Sequence, residues 1–181
     1  NATIDTGTNA LDLSTSSVGG NLAATAGNTI TDSGVLTVTG TSSFTTDVDD
    51  KDIIFDQNHA FTGAVTITTV DSSGSHSDAT ISAGSSVELK FAASSIEGNL
   101  TVTSSNAIGI SQEGALTVEG TSSFTTSSND ADINLANTSN NLDGTVHFVT
   151  NDNSSGDGVY AGNVILAHSD AIEIGTVNSV L

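Results

Sequence analysis

The stretch Gly34-Val-Leu-Thr-Val-Thr-Gly-Thr-Ser-Ser-Phe-Thr-Thr46 decides the fold of this chain, because it occurs twice. It recurs eighty residues later as Gly114-Ala-Leu-Thr-Val-Glu-Gly-Thr-Ser-Ser-Phe-Thr-Thr126, and only two of its thirteen positions differ. Self-similarity at a fixed period is the sequence signature of a repeat protein, in which each unit stacks on its neighbours. The sequence therefore predicts a repeat architecture before any single residue is given a role.

Three similar five-residue stretches, at 18–22, 96–100 and 177–181, mark the boundaries of the repeat, and the third is degenerate. We therefore divide the chain, as one continuous solenoid over 1–181, into a partial repeat (1–22) and two super-repeats (23–100 and 101–181). No atypical capping repeat is visible at either end, although a free-standing solenoid needs one. We expect a segment of a longer rod, or a subunit that stacks end to end.

The apolar residues form pairs spaced by two, as in Leu36-Thr-Val38 and Leu116-Thr-Val118. Residues spaced by two point to the same face of a β-strand. The strands are separated by Gly, Asn, Asp and Ser, which favour tight turns, and no apolar stripe of helical period is present. The pattern predicts an all-β fold: a parallel β-helix (β-solenoid) with super-repeats of about 80 residues. Each super-repeat would form roughly three triangular coils, with equivalent strands stacked on their own copies.

The net charge of the chain limits the classes of partner that it can bind. It has 21 acidic and two basic residues, and its formal net charge is −19. Two cations cannot neutralise a nucleic-acid footprint, so nucleic acid is excluded as a partner, and anionic membrane surfaces are disfavoured for the same reason. No apolar run reaches about 18 residues, so we expect no membrane insertion. The chain has no cysteine, which excludes disulfides and thiolate metal sites.

Acidic turns are the candidate cation sites. The candidate Ca²⁺ ligands are the aspartates of three turns: Asp47, Asp49, Asp50, Asp52, Asp130, Asp132, Asp152 and Asp157. Ca²⁺ takes six to eight oxygen ligands and favours flexible loops. Neither the spacing of an EF-hand nor the nonapeptide of the calcium β-roll is present. Two interpretations stay open: solvated turns that keep the rod soluble, or specific Ca²⁺ sites.

No catalytic constellation is visible. The four histidines, His59, His76, His147 and His168, are not at i, i+4 spacing with one another, and we expect scattered surface histidines. Two carboxylates flanking a sugar bond could hydrolyse glycosides. However, Asp12 and Glu88 lie on equivalent strands that we expect to be far apart along the rod, and the chain has no arginine. We therefore predict that the protein is not an enzyme.

One series of motifs resembles the repeats of a known family. It consists of Gly98-Asn-Leu-Thr-Val-Thr103, Ile108, Gly114-Ala-Leu-Thr-Val118 and Gly120-Thr-Ser-Ser-Phe124. It is similar to the strand-rich repeats of giant bacterial surface and secreted proteins, the filamentous-haemagglutinin-like adhesins. The resemblance covers nearly the whole chain. It implies a secreted, right-handed parallel β-helix that usually acts as a stalk.

These observations predict a structural rod: a β-solenoid segment of an extracellular filament, sheath or adhesin stalk at a bacterial cell surface. The expected partner is another copy of the chain, through end-to-end stacking or lateral association. One alternative is a calcium-assisted adhesin module that binds glycans or surfaces. Another is a polysaccharide-active β-helix enzyme.

Overall fold

The computed structural model describes residues 1–72, 74, 76–151 and 162–180, and over these residues it consists of strands and turns without a helix. The first strands are β1 (Ala2–Asp5), β2 (Leu11–Leu13), β3 (Ser16–Val18), β4 (Leu22–Ala26), β5 (Ile30–Asp32), β6 (Leu36–Val38), β7 (Ser42–Thr46), β8 (Ile53–Phe61) and β9 (Val65–Thr68). The later strands are β10 (Ala79–Ala83), β11 (Leu89–Phe91), β12 (Ser94–Ile96), β13 (Leu100–Ser104), β14 (Gly109–Gln112), β15 (Leu116–Val118), β16 (Ser122–Asn129), β17 (Asp132–Leu135), β18 (Asn141–Leu142), β19 (Val146–Asn151), β20 (Val164–Leu166) and β21 (Ile174–Val180).

The strands stack in parallel to form a β-solenoid of about seven turns, so the predicted fold class is confirmed. They belong to two sheets. Sheet I has eleven strands and follows the path β1-β4-β7-β9-β11-β14-β17-β20, with β12, β15 and β18 beside that path. Sheet II has ten strands and follows the path β2-β5-β8-β10-β13-β16-β19-β21, with β3 and β6 beside it. The three strands of an early coil, such as β1, β2 and β3, are therefore shared between two sheets.

The length of each coil, and not the 80-residue repeat, determines which strands are neighbours in a sheet. Leu22 lies beside Ser42, twenty residues on, whereas Ile133 lies beside Val164, thirty-one residues on. Neighbouring strands keep their register because every second side chain points inward. A one-residue slip would turn the buried set to solvent.

Equivalent strands of the two super-repeats lie in opposite sheets, so the expectation that they stack on each other is wrong. Strand β4 lies in sheet I, whereas β13, its copy in the second super-repeat, lies in sheet II. The change occurs after β9, where the chain crosses to sheet II and β10 stacks on β8. Strands β11 and β12 then stack on β9 in sheet I. From β1 the chain passes through β4, β7 and β9, which are the next three levels of sheet I, and then crosses to β10 in sheet II. One repeat therefore spans three and a half coils.

The same junction recurs one repeat later. Strand β20 stacks on β17 in sheet I, as β10 stacks on β8, and β21 stacks on β19. Matching backbone hydrogen bonds form at both places: the N–H of Ile53 donates to Asp78 O (2.9 Å), and the N–H of Ile133 donates to Asn163 O (2.8 Å). The half-coil offset is therefore built into the repeat.

The core is a single column of apolar side chains between the sheets. Successive coils place inward residues above one another, as in the row Ile81, Val102, Phe124 and Phe148. The largest aromatic group lies in the first repeat, where the ring of Phe44 is 4.4 Å from that of Phe55. Fully burying a side chain of this kind contributes about 1.5–3 kcal/mol. Most residues between the inward ones are polar, as in Leu36-Thr37-Val38, although apolar residues such as Ile54 and Val149 also occupy these positions.

Candidate functional site

The aspartates of the first acidic turn follow β7, and the structure gives them different surroundings. Asp47 is exposed, and Asp49 accepts a hydrogen bond from the hydroxyl of Ser72. Asp50 has a positive φ of 61°, which aspartate tolerates better than most residues. Asp52 accepts a hydrogen bond at Oδ1 from the backbone N–H of Asp78, at 2.9 Å. Asp52 therefore contributes to the stacking of coils.

The second acidic turn repeats this geometry. Asp130 has a φ of 58°, and it is the position that corresponds to Asp50. Asp132 accepts hydrogen bonds at Oδ1 from the backbone N–H and the side chain of Asn163, at 2.7 and 3.2 Å. Asp152 and Asp157 lie outside the described residues. The two turns are thus copies of one structural device.

Within the described part of the chain, no group of three or more histidine, aspartate or glutamate side chains is arranged to hold a metal ion. Backbone carbonyl oxygens, amide carbonyl oxygens and waters also serve as ligands for calcium. The calcium sites therefore stay a prediction. What the structure adds is that Asp52 and Asp132 already accept hydrogen bonds from the next coil.

Side-chain amides and carboxylates form a ladder at the corner before the leading strands, which are β1, β4 and β7 of sheet I and β10, β13 and β16 of sheet II. The ladder changes sides with these strands. Its rungs are the bonds from Asn21 N–H to Asn1 Oδ1 (2.9 Å), Thr41 N–H to Asn21 Oδ1 (3.1 Å), Asn99 N–H to Asp78 Oδ1 (2.7 Å) and Thr121 N–H to Asn99 Oδ1 (2.9 Å). Each rung satisfies a backbone donor that the sheet cannot reach. Sequence reasoning used the Gly-Asn-Leu stretches only as boundary markers. Their asparagines were the available signal for this ladder.

Buried hydroxyls close the turns after three leading strands. Thr46 donates to the carbonyl of Lys51 and Thr126 to that of Ala131, both at 3.0 Å. Ser104 makes the corresponding bond to the carbonyl of Gly109 at 3.2 Å. The bonds of Thr46 and Thr126 fix the two turns that carry the acidic residues.

The expectation of scattered surface histidines is wrong for His59, which is fully buried in β8. It lies on the inward face with Phe55 and Phe61, from which it is spaced by even numbers, whereas Gln57 is exposed where the pairing with β10 shifts register. Its ring packs between Phe55 and Phe61, with centroids 5.4 Å from each. His76 is exposed, as expected. His147 and His168 are half-buried.

Three of the histidines accept backbone hydrogen bonds from another coil. The bonds run from Leu36 N–H to His59 Nδ1 (2.9 Å), Leu142 N–H to His168 Nε2 (2.6 Å) and Thr176 N–H to His147 Nδ1 (3.0 Å). Each bond needs an imidazole nitrogen without a proton. The histidines are therefore part of the stacking of coils.

A second acidic feature, the acidic column, consists of Glu97, Glu119 and Asp143. Each follows a strand residue in register: Ile96 pairs with Val118, and Val118 pairs with Leu142. Partial burial raises the pKa of Glu97, and the carboxyl group of Glu119 raises it further through a hydrogen bond and its charge. Neighbouring carboxylates in register repel one another, so the acidic column holds like charges close together.

The described residues contain no cavity, and the interior between the sheets is filled by side chains. Over the same residues there is no helix with the length and apolar character that crossing a bilayer would require. Asp12 accepts a hydrogen bond from the hydroxyl of Ser33 at 2.8 Å, and nothing in the structure brings it together with Glu88.

Comparison with known proteins gives one match. The model of the DUF5649 family, described as repeats of unknown function, matches residues 1–68 and 76–149. No curated protein and no solved structure matches the chain. Each matched segment spans the leading strands that start with an Ala-Thr-Ile sequence, at Ala2 and at Ala79. Because the two segments cover well over half of its length, the chain belongs to the DUF5649 family of repeats.

Proposed function

We propose that the chain is a structural rod segment of an extracellular filament, sheath or adhesin stalk at a bacterial cell surface. The observation that carries the proposal is the unbroken parallel ladder, in which eight strands follow one another along each sheet. At about 4.8 Å per level, this ladder is about 34 Å long. Such a ladder resists extension and bending along its axis. The resemblance to adhesin stalks supplies the cellular setting of the proposal.

The ends of the ladder support stacking on further coils of the same kind. The first and last coils carry apolar side chains that are only half-buried against the core: Ala2, Ile4, Leu11, Val18, Val164, Leu166 and Ile172. Ile174 and Val177 of β21 are 44% and 60% exposed. An added coil would bury these groups and pair the strand edges, which otherwise invite association. The partner we propose is a second copy of the chain.

Electron microscopy of the purified protein, with and without EDTA, tests the proposal. We expect filaments with an axial repeat of about 4.8 Å. Val177→Asp should abolish them, because it places a charge in the stacking face. Ile108→Asp is the matched control, since Ile108 is 63% exposed but lies in a loop between β13 and β14. Discrete particles from the unchanged protein would contradict self-stacking.

The EDTA arm addresses the calcium-assisted module, which is the runner-up. Filaments that dissolve in EDTA and return with CaCl₂ would place a divalent cation between subunits. Filaments that persist would leave the acidic turns as solvated surface. A polysaccharide-active enzyme would need a groove with paired carboxylates, and no observation in the described part of the chain favours it.

A further inference from the structure

The buried histidine of the first repeat makes a hydrogen bond that only a neutral imidazole can make. The backbone N–H of Leu36 donates to Nδ1 of His59 at 2.9 Å, across 23 residues and from one coil to the next. Nδ1 therefore carries no proton, and the neutral ring carries its proton on Nε2. Nε2 lies 3.5 Å from Oδ2 of Asp32, and both side chains are fully buried.

The second repeat makes the same bond with a group that does not titrate. The N–H of Leu116 donates to Oδ1 of Asn140 at 2.9 Å. Leu36 and Leu116 occupy the same position of the thirteen-residue stretch. Oδ1 of asparagine and Nδ1 of histidine stand at the same place along their side chains, so the two acceptors are geometric equivalents. The protein thus contains its own control.

The charged groups around His59 are few. Asp32, on β5, faces it, and Asp56, on β8 itself, acts on it through its charge. Strands β6, β7 and β10 also pack against β8, and they contain no ionisable side chain. Burial lowers the pKa of His59, and this effect exceeds the opposing effects of Asp32 and Asp56.

We propose that the first repeat contains an acid-sensitive joint: protonation of His59 removes the acceptor of the Leu36 N–H and opens the contact between β6 and β8, while Asn140 keeps the corresponding contact between β15 and β18 closed. An imidazolium has donors only, so it would face the amide as a second donor. The joint lies beside the junction of the repeats, because β8 is also the strand on which β10 stacks.

The direction of the pH effect follows from linkage. His59 has a lower pKa in the folded chain than the 6.5 of an unperturbed histidine. The opened state therefore binds more protons between these two values, and protons favour opening. The closed state is fully stable above about pH 6.5, and stability is lost as the pH falls from there to the lower pKa of the folded state.

Hydrogen–deuterium exchange of the full chain at pH 7.5 and pH 5.5, corrected for intrinsic exchange rates, tests the joint. We expect protection of β6 to fall up to about tenfold at pH 5.5, the factor that one pH unit below the unfolded pKa allows. Strand β15, the equivalent strand of the second repeat, should keep its protection. An equal change in β6 and β15, or no change in β6, would overturn the proposal.

Two reciprocal variants make the test specific. His59→Asn should keep β6 protected at both pH values, because the amide oxygen replaces Nδ1 as the acceptor. Asn140→His should transfer the acid sensitivity to β15. Retained acid sensitivity in His59→Asn would overturn the proposal. If either variant fails to fold, the comparison of β6 with β15 in the unchanged chain decides.

Discussion

The carboxylates of Asp52 and Asp132, eighty residues apart, make the same contact with the coil that follows them. Asp52 accepts the N–H of Asp78 at 2.9 Å, and Asp132 accepts the N–H of Asn163 at 2.7 Å. Asp78 immediately precedes β10, and Asn163 immediately precedes β20. An aspartate in each super-repeat thus binds one coil to the coil that follows it.

This contact predicts the effect of removing one carboxylate. Asp52→Ala should lower the free energy of unfolding by about 1–2 kcal/mol, because the N–H of Asp78 loses its acceptor. Asp52→Asn keeps an acceptor oxygen at the same place and should cost less. Urea denaturation followed by circular dichroism measures the difference.

Asp47→Ala is the control for that measurement, because Asp47 is exposed in the same turn. We expect it to change stability by less than about 0.5 kcal/mol. If Asp47→Ala and Asp52→Ala were equally destabilising, a general effect of charge would replace the hydrogen bond as the explanation.

Close approach of coils at the corners predicts a contrast between two glycines. A Cβ on Gly120 would lie 2.7 Å from the carbonyl carbon of Gly98 in the preceding coil, whereas no heavy atom lies within 4 Å of a Cβ on Gly19. Gly120→Ala should therefore lower stability by about 1–3 kcal/mol through overpacking. Gly19→Ala should leave the thermal midpoint within a degree or two of the original. Similar midpoints for the two variants would contradict the close stacking.

The aromatic group of the first repeat should dominate its stability. The ring centroid of Phe44 lies 4.4 Å from that of Phe55 and 5.8 Å from that of Phe61, and all three side chains are fully buried. Phe44→Ala should cost about 3–5 kcal/mol of unfolding free energy. Val35→Ala is the control, since Val35 is exposed and the second repeat has alanine there. A cost below 1 kcal/mol for Phe44→Ala would be evidence against this core.

The acidic column predicts a stabilising substitution. Because the pKa of Glu97 is raised above 4.5, the folded state holds its proton more tightly than the unfolded state does. The stabilising contribution is complete below pH 4.5 and is lost as the pH rises through the raised pKa. Glu119→Thr, which copies Thr39 of the first repeat, should therefore raise the thermal midpoint at pH 7. This gain should vanish or reverse at pH 4, because the variant also loses the hydrogen bond between protonated Glu97 and Glu119.

Salt and a matched charge removal check this explanation. The gain from Glu119→Thr should shrink at high ionic strength, because salt screens the repulsion between exposed carboxylates. Glu88→Gln removes one negative charge away from the column and should give a smaller gain at pH 7. An equal gain from both variants would mean that net charge, and not the column, sets the effect.

The fold class could be predicted from the sequence, because pairs such as Leu36 and Val38 directly indicate the strand period and the inward face. It could not show that Phe44 and Phe124 lie in opposite sheets. That depends on how many coils fit into one repeat, and coils of 20 to 31 residues give no constant period to count. Only the pairing of β10 with β8 reveals the extra half coil.

The surroundings of polar residues were harder to predict. Asp52 and Asp47 look alike in the sequence, yet one accepts a backbone hydrogen bond from the next coil and the other faces solvent. Alternation with Phe55 and Phe61 places His59 on the inward face, but nothing local indicates that the strand becomes irregular at Asp56–Asn58 and leaves Gln57 exposed. Such differences arise from contacts between coils more than twenty residues apart.

The half-coil offset has a mechanical consequence. One side of each repeat carries the leading strands, and the other carries pairs of shorter strands. Two sides built from strands of unequal length would give the rod a preferred curvature. If all repeats faced the same way, these curvatures would add up and the rod would form an arc. Here odd and even repeats turn opposite sides to the same direction, so their curvatures cancel over each pair. We therefore expect a long array of such repeats to run straight.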